Sequence, residues 1–450
     1  MSFSARLILF LFAILIALFL SSVTAIKALA ALVFFILFVV AFSSVRYTLY
    51  ILVFSMLLSP ELIVGETPAR EITIRLDDIF LLILLISYLT KTAIYKELGL
   101  LRFTSLNRPI LLYASFVVLS TLIGLITGRV NILSGSFFTL KYLEFFLFFF
   151  LVINNVTDIK EAKKLTTAIL ITCFIVTLFA LYQIPSGERV TTPFEGKYGG
   201  EPNTLGGYLI VMLSIITSIY IIQPYFRFKR LLIPLSILIV FSLAYTQSRG
   251  SWLGLIAMTV AFIIFSEKRI IFSLVTAILI FCIPYITPEV AQKRAKGTFI
   301  GDPGFKQTEK IFGITFDPSA SERIATYKNA YKKWVKHPIM GYGVTGAGFV
   351  DTQYIRLLLE TGIVGFILFI YVIYTLFKNL LTTYRVTEEP FIKSLSLGMM
   401  AAIFGLMGHS ITASSFIIVR IMEPFWFLCA LAIAPAVMER TPILETERYT

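Results

Sequence analysis

The stretch GFVDTQYIRLLLETGIVGFILF, residues 348–369, decides how this chain is read. It runs into a segment apolar enough to enter a bilayer, yet Asp351, Arg356 and Glu360 fall in its first turns. Charge at the centre of a membrane-spanning helix costs on the order of 2.5–3.5 kcal/mol per residue on insertion scales. Either these charges sit where the helix meets the membrane surface, or a site holds them.

Comparable apolar runs recur along the whole sequence. Hydrophobic residues make up 58% of the chain and charged ones only 14%, too thin a polar shell for a soluble domain of this length. Spans are expected near residues 7–23, 28–42, 47–58, 79–90, 109–127, 134–152, 165–184, 205–222, 231–245, 252–265, 270–286, 354–377, 394–409 and 417–437. The expected fold is all-α, a polytopic transmembrane bundle of about 12–14 spans. Continuous rather than alternating runs exclude a β-barrel. The chain divides into an N-terminal bundle (1–286), a long extracytoplasmic loop (287–350) and C-terminal helices with a short cytoplasmic tail (351–450). The first run also imitates a signal peptide, with Arg6 before it and small residues at 22–25.

The 42 Phe and 21 Tyr suit lipid contact and interfacial belts. Cys173, Cys282 and Cys429 all lie in apolar runs, so neither a disulfide framework nor a cysteine metal site is expected. A net charge of +13 reads as cytoplasmic loops that orient a membrane protein, not as a nucleic-acid surface. With the N-terminus inside, the loops rich in basic residues (Lys91 to Arg108, Lys160 to Lys164, Arg227 to Arg230, Lys268 and Arg269, Lys378 to Lys393) all fall on the cytoplasmic side.

The candidate site segments then share the other face. PFEGKYGGEPNTLGGYL (193–209) is a Gly-rich loop feeding a span, which on its own marks a turn. AYTQSRGSWLGL (244–255) carries Arg249 between two spans; an arginine and a Gly cap ending a helix would account for that pair. In the long loop, Ser319 and Glu322 form a capping-box pattern for an amphipathic helix over 320–336, stopped by His337 and Pro338. Ile324, Tyr327, Tyr331, Trp334 and Val335 share one face, Lys328, Lys332 and Lys336 the opposite one, and Arg323 aligns with the edge of the apolar face. Such a helix lies flat on the membrane surface or over the protein's mouth. Arginines here suit a diphosphate at headgroup level, because guanidinium presents a fixed fork of donors; snorkelling to phospholipid phosphates fits them equally.

In order along the chain, PNTLGGYL, TQSRGSWLGL, SERIATYKNAYKKW, HPIMGYG and VDTQYIRLLLETGIVG resemble the bacterial O-antigen ligase and O-antigen polymerase superfamily over the C-terminal half to two thirds. The resemblance implies a GT-C-type glycosyltransferase of the bacterial inner membrane, active on its periplasmic face. It implies transfer of a glycan from an undecaprenyl-pyrophosphate carrier to a hydroxyl of lipid A–core (ligases) or of another carrier-linked glycan (polymerases). Inversion at the anomeric carbon and no metal, nucleotide sugar or other cofactor are implied with it. The diphosphate-binding arginines map to Arg249 and Arg323, with Asn203, Gln247, Ser248 and Tyr354 as supporting residues of the same motifs. In ligases the last motif opens with a histidine, the proposed base, eleven residues before the first glycine of GxxG. Here that glycine is Gly362 and the opening residue is Asp351, closer to the polymerase pattern.

Transfer to an alcohol needs a proton acceptor and a stabilised leaving pyrophosphate. Asp351 is the candidate base, although carboxylate near 3.9 is intrinsically weaker than imidazole near 6.5; capping the following helix is its other expected role. Arg356 and Glu360, four apart, are expected to pair and support the site. His409 at the end of a span is the alternative base, or a polar interfacial residue; His337 reads as structural. Lys141 with Glu144 and Arg420 with Glu423 share a three-residue spacing that suits pairing, Arg420 being also in reach of a lipid phosphate. Asp77 and Asp78 are candidates for acceptor contact. A transporter or flippase of a polar or lipid-linked substrate is the competing function, but it should place charge near the bilayer midplane and show internal repeats, which this sequence lacks.

Overall fold

The computed structural model describes residues 36–37, 39–41, 44–66, 71–95, 103–156, 158–196, 200–226, 228–270, 272–273, 310–311, 314–315 and 318–448. The expected span at 7–23, most of those at 28–42 and 270–286 and the signal-like N-terminus lie outside them. The described helices are α1 (Val45–Leu58), α2 (Leu76–Tyr95), α3 (Asn107–Ile126), α4 (Ile132–Asn155), α5 (Ile159–Gln183), α6 (Pro202–Ile222), α7 (Lys229–Thr246), α8 (Arg249–Phe265), α9 (Pro318–Trp334), α10 (Gln353–Val386), α11 (Pro390–His409) and α12 (Val419–Arg448). Among the described residues, α3, α4, α5, α6, α7, α10 and α11 are long and apolar enough to cross a membrane, and α1 and α8 are shorter apolar helices. The fold is a polytopic helical bundle. At its centre stand α6 and α11, each with 78% of its apolar window buried, packed on one another and flanked by α8 and α12.

Two short hairpins interrupt the helices. Strands β1 (Glu61–Glu66) and β2 (Glu71–Arg75) pair antiparallel with a bulge between Ile63 and Gly65, and the register sets Glu61 opposite Arg75. Strands β3 (Lys310–Ile311) and β4 (Ile314–Thr315) form the second. The bundle ends differ in chemistry. At one end Lys163 pairs with Glu389 (2.8 Å), Lys393 with Glu267 (2.9 Å) and Arg46 with Glu161 (3.0 Å). At the other, here the hairpin end, the β1–β2 hairpin, the segment 187–196, the start of α6, the α7–α8 turn and the segments 338–353 and 409–418 are linked by hydrogen bonds. Every described loop carrying a candidate site segment belongs to this end.

Helix α9 packs differently from its sequence pattern. It begins at Pro318, so Ser319 lies in the first turn rather than at the cap. Its contact face is Ala330 with Trp334, set against Ala347, Val350, Leu359 and Tyr342. Tyr327, Tyr331 and Val335 remain 36%, 65% and 53% exposed. Ala330 allows the close approach and Trp334, a member of the expected face, packs beside it, while Lys333 donates to the Ala347 carbonyl at 2.8 Å. The Lys328, Lys332 and Lys336 row is exposed.

The feature that fixes the hairpin end is a break in α10 at Gly362, whose φ of 64° and ψ of −166° lie in a region essentially reserved for glycine. A broken helix leaves backbone groups that hydrocarbon cannot satisfy, so other protein must. Segment 338–343 does this. Ile363 N donates to Pro338 O (2.8 Å), Tyr342 N to Leu359 O (2.8 Å) and Gly343 N to Glu360 O (2.9 Å). The Ser120 hydroxyl of α3 stands 2.6 Å from Met340 O and 2.8 Å from Glu360 O. A Cβ on Gly362 would come within 2.2 Å of Ile339 O. Gly362→Ala is therefore expected to destabilise by roughly 2–3 kcal/mol or more. Gly128→Ala, also at positive φ (69°) but with nothing within 4 Å, is expected to cost less. Thermal melting of the two variants in detergent compares them.

Candidate functional site at the hairpin end

Three of the singled-out segments converge on the turn at 409–415. Helix α7 ends in Gln247, left-handed at φ 50°, and α8 begins at Arg249 behind the N-cap Ser248, whose hydroxyl accepts from Ser251 N. Arg249 thus opens a helix instead of ending one, and Gly250 is no C-cap. Its place follows from packing, since a Cβ there would stand 2.3 Å from Thr412 Oγ1 and 3.2 Å from His409 O. A guanidinium at the positive end of a helix dipole is unfavourable unless negative charge shares the site, and the helix N-terminus adds its own N–H donors for an anion. Arg249 is half-buried. Asn203, in the first turn of α6, accepts from the Ser248 hydroxyl at 2.7 Å and so ties the Gly-rich segment to this helix start.

Asp351 reaches the same turn from the other side. Its carbonyl accepts from the Ser414 hydroxyl (2.9 Å), Gln353 N donates to Ser410 O (3.3 Å) and Phe416 N donates to Gln353 Oε1 (3.0 Å). The cap position of α10 belongs to Thr352, which makes no side-chain cap bond, so the expected capping role of Asp351 is not present. The Asp351 residue is exposed. Tyr354 donates to Met407 O at 2.7 Å, fixing the first turn of α10 to the end of α11. Helix α9 is tethered here as well, through Tyr327 Oη to Ile411 O at 3.4 Å. Arg323 lies one turn before Tyr327 on that helix; its side chain is outside what the structure describes.

His409 is fully buried. Its Nδ1 is 2.6 Å from Ser415 Oγ, Nε2 has no hydrogen-bond partner, and a Cβ on Gly206 would collide with Ser251 Oγ at 1.9 Å. Buried there, His409 ties the end of α11 to Ser415 within the turn. His337 packs edge-on against Tyr342, ring centroids 4.6 Å apart, at the end of the α9 segment.

One turn further into α10 lies an ionic layer. Arg356 Nε pairs with Glu360 Oε1 at 2.9 Å, as the spacing predicts. Glu360 also accepts from Tyr142 Oη (2.6 Å) and Thr345 N (3.3 Å). Lys141 pairs with Glu144 at 2.9 Å, as expected, and with Asp78. The expected pairing of Arg420 with Glu423 does not form. Arg420 is taken by Glu61 (3.1 Å) and by the carbonyls of Leu57, Ser59, Pro193 and Phe194, so no donor is left for a lipid phosphate. Glu423 pairs instead with Arg75 at 2.9 Å, and Arg75 also holds Asp77. Asp77, with side-chain exposure of 0%, is thereby unavailable to an acceptor.

Four carboxyls, Asp77, Asp78, Glu144 and Glu423, place oxygens within 4.8 Å of one another, with the Arg75 guanidinium and Lys141 ammonium among them. The pairing of hairpin to bundle escaped sequence reasoning because Arg75 and Glu423 are 348 positions apart. Glu195 was also missed. It accepts from the Thr192 hydroxyl and from Thr204 Oγ1 (2.7 Å), and the acid in an otherwise Gly-rich stretch was its only signal.

The site is a polar layer at one end of a membrane bundle, with two candidate anion-binding helices and an exposed carboxylate around one turn. Residues 234–370, under a third of the chain, match the family model described as O-antigen ligase. The matched segment runs from within α7 through Arg249, Arg323 and Asp351 to beyond the Gly362 break. That match supports membership of the O-antigen ligase and polymerase superfamily and, with it, a glycosyltransferase-type part in cell-surface polysaccharide biosynthesis. No curated protein matches the chain.

Burial raises the Glu195 carboxyl above its usual 4.5, while its two threonine donors and Arg420 pull it down. A folded pKa above the unfolded one gives stability that is complete below the unfolded value and is lost as pH rises through the folded value. The melting temperature of Glu195→Gln relative to wild type is therefore expected to rise as pH climbs above the ordinary glutamate value of about 4.3, and a pH series of melting curves measures it.

Proposed function

We propose that the protein is an inner-membrane glycosyltransferase that moves a glycan from an undecaprenyl-pyrophosphate carrier to an acceptor hydroxyl on the periplasmic face. The observation that carries this reading is the 409–415 turn, to which the start of α8, the start of α10 and α9 are all bound. Arg249 and Arg323 would clamp the diphosphate, supported by the α8 N-terminus. Asp351 would take the proton of the acceptor hydroxyl while its oxygen attacks the anomeric carbon. The bond from that carbon to the phosphate oxygen breaks on the opposite side, and the electron pair leaves with the pyrophosphate. The configuration inverts, and no metal is required because the arginines carry the developing charge.

Broken helices and buried ion pairs also occur in transporters. Here the groups freed at Gly362 are bonded by segment 338–343 rather than held open for a substrate, which favours the transferase. The aspartate at position 351 favours a polymerase over a ligase.

Transfer from synthetic undecaprenyl-pyrophosphate glycan tests the reading. Arg249→Ala and Arg323→Ala are each expected to lower turnover by roughly 100-fold or more, and Asp351→Asn by about 100-fold or more. Full activity in both arginine variants would remove the diphosphate site, and unchanged turnover in Asp351→Asn would remove the base. A product ladder marks a polymerase and a single transfer to lipid A–core a ligase.

A further inference from the structure

At the hairpin end, a cavity of about 400 Å³ is lined by the β1–β2 hairpin, α4, α10, the start of α12 and residues Glu195, Gly196, Glu201 and Thr204. It falls in the size range of small-molecule sites, roughly 300–1,000 Å³. Its cations are already neutralised from behind. Arg75 faces Asp77 and Glu423, Lys141 faces Asp78 and Glu144, and Arg420 faces Glu61. Arg356 is balanced by Glu360, but its Nη1 has no hydrogen-bond partner although the side chain is only 5% exposed. The lining also includes the carboxyls of Glu195 and Glu201 and the rings of Phe137, Phe138 and Tyr142.

A diphosphate carries several negative charges and needs cations that are not already paired, whereas among the described lining residues every cation has a carboxylate partner. Its offer is one orphaned N–H donor, two acceptors and aromatic faces in a polar surround. We infer that the cavity is a saccharide subsite, taking a short uncharged glycan whose ring oxygens and hydroxyls accept from Arg356 Nη1 and donate to Glu195 and Glu201. Sugar C–H faces would lie on Phe137 and Phe138, whose centroids are 5.5 Å apart in an edge-to-face pair. The location suits the task, because Arg356 is five residues after Asp351 and Glu201 is hydrogen-bonded to Asn203. Through Asn203, which is bonded to Ser248 beside Arg249, the subsite borders the proposed diphosphate clamp, and through Arg356 it borders the start of α10 that carries Asp351. The glycan is either the distal part of the donor or the end of the acceptor.

The identity of the ligand rests on the transferase reading, whereas its binding is measured without transfer. The probe is oligosaccharide released by mild acid from the host strain's own surface polysaccharide, titrated calorimetrically into purified full-length protein, with inorganic pyrophosphate as comparison. Thr73→Trp, which fills the cavity from β2, is expected to weaken oligosaccharide binding by roughly tenfold or more. Phe137→Ala, which removes an aromatic face without adding bulk, is expected to weaken it also, with melting temperatures near wild type in both. Equal affinity in both folded variants, or pyrophosphate displacing the oligosaccharide from the wild type, would overturn the subsite. Oligosaccharide competing with donor in transfer assays assigns the subsite to the donor glycan, and competition with acceptor assigns it to the acceptor. Binding without any transfer would contradict the proposed function and leave the subsite standing; transfer without oligosaccharide binding would do the reverse.

Discussion

Everything at the hairpin end depends on the break of α10 at Gly362. A continuous helix would leave no free carbonyls at Leu359 and Glu360 and no free amide at Ile363, and segment 338–343 would have nothing to bind. Through that segment the break ties α3, α9 and α10 together, because Ser120 reaches Met340 O and α9 packs by Ala330 and Trp334 on Leu359 and Ala347. It also places the Glu360 side chain where Arg356, Tyr142 and Thr345 N all meet it. The two short motifs HPIMGYG and ETGIVG are thus halves of one joint.

A second consequence is a division of labour in charge. Buried ions are tolerated when each is paired and hydrogen-bonded, and Arg75, Lys141, Arg356 and Arg420 all follow that rule. They stiffen the bundle where hairpin, α2, α4 and α12 meet. The residues proposed for chemistry stand at the starts of α8 and α10 and on α9. Charge spent on structure and charge proposed for a substrate therefore occupy adjacent levels of the same end.

Much of this was legible in the sequence. Apolar run length gives the spans, because one helix crossing a bilayer is a local property of about twenty residues. Pairs within one helix, Arg356 with Glu360 and Lys141 with Glu144, follow from spacing alone. Contacts between distant segments do not. Arg420 and Glu423 have the right spacing, yet Glu61 and Arg75 from the hairpin compete for them and win. Arg249 looked like a helix end because Gly follows it, whereas Gly250 is required by the backbone of His409 and the Thr412 side chain. On α9, residue type at helical spacing favoured the large aromatics as the contact face. The packing keeps Trp334 from that set and adds Ala330, because close approach to α10 matters there as well as area. The Asn203, Ser248 and Tyr354 contacts had no sequence signal beyond membership of their motifs.

The central claim is that the helix starts bearing Arg249 and Asp351, together with the helix bearing Arg323, serve one diphosphate. A double-mutant cycle on the affinity of purified protein for undecaprenyl pyrophosphate measures this directly. If Arg249 and Arg323 clamp the same group, each alanine variant loses affinity and the double variant departs from the sum of the two by about 0.5 kcal/mol or more. Strictly additive losses, or no loss in either variant, would contradict a shared site.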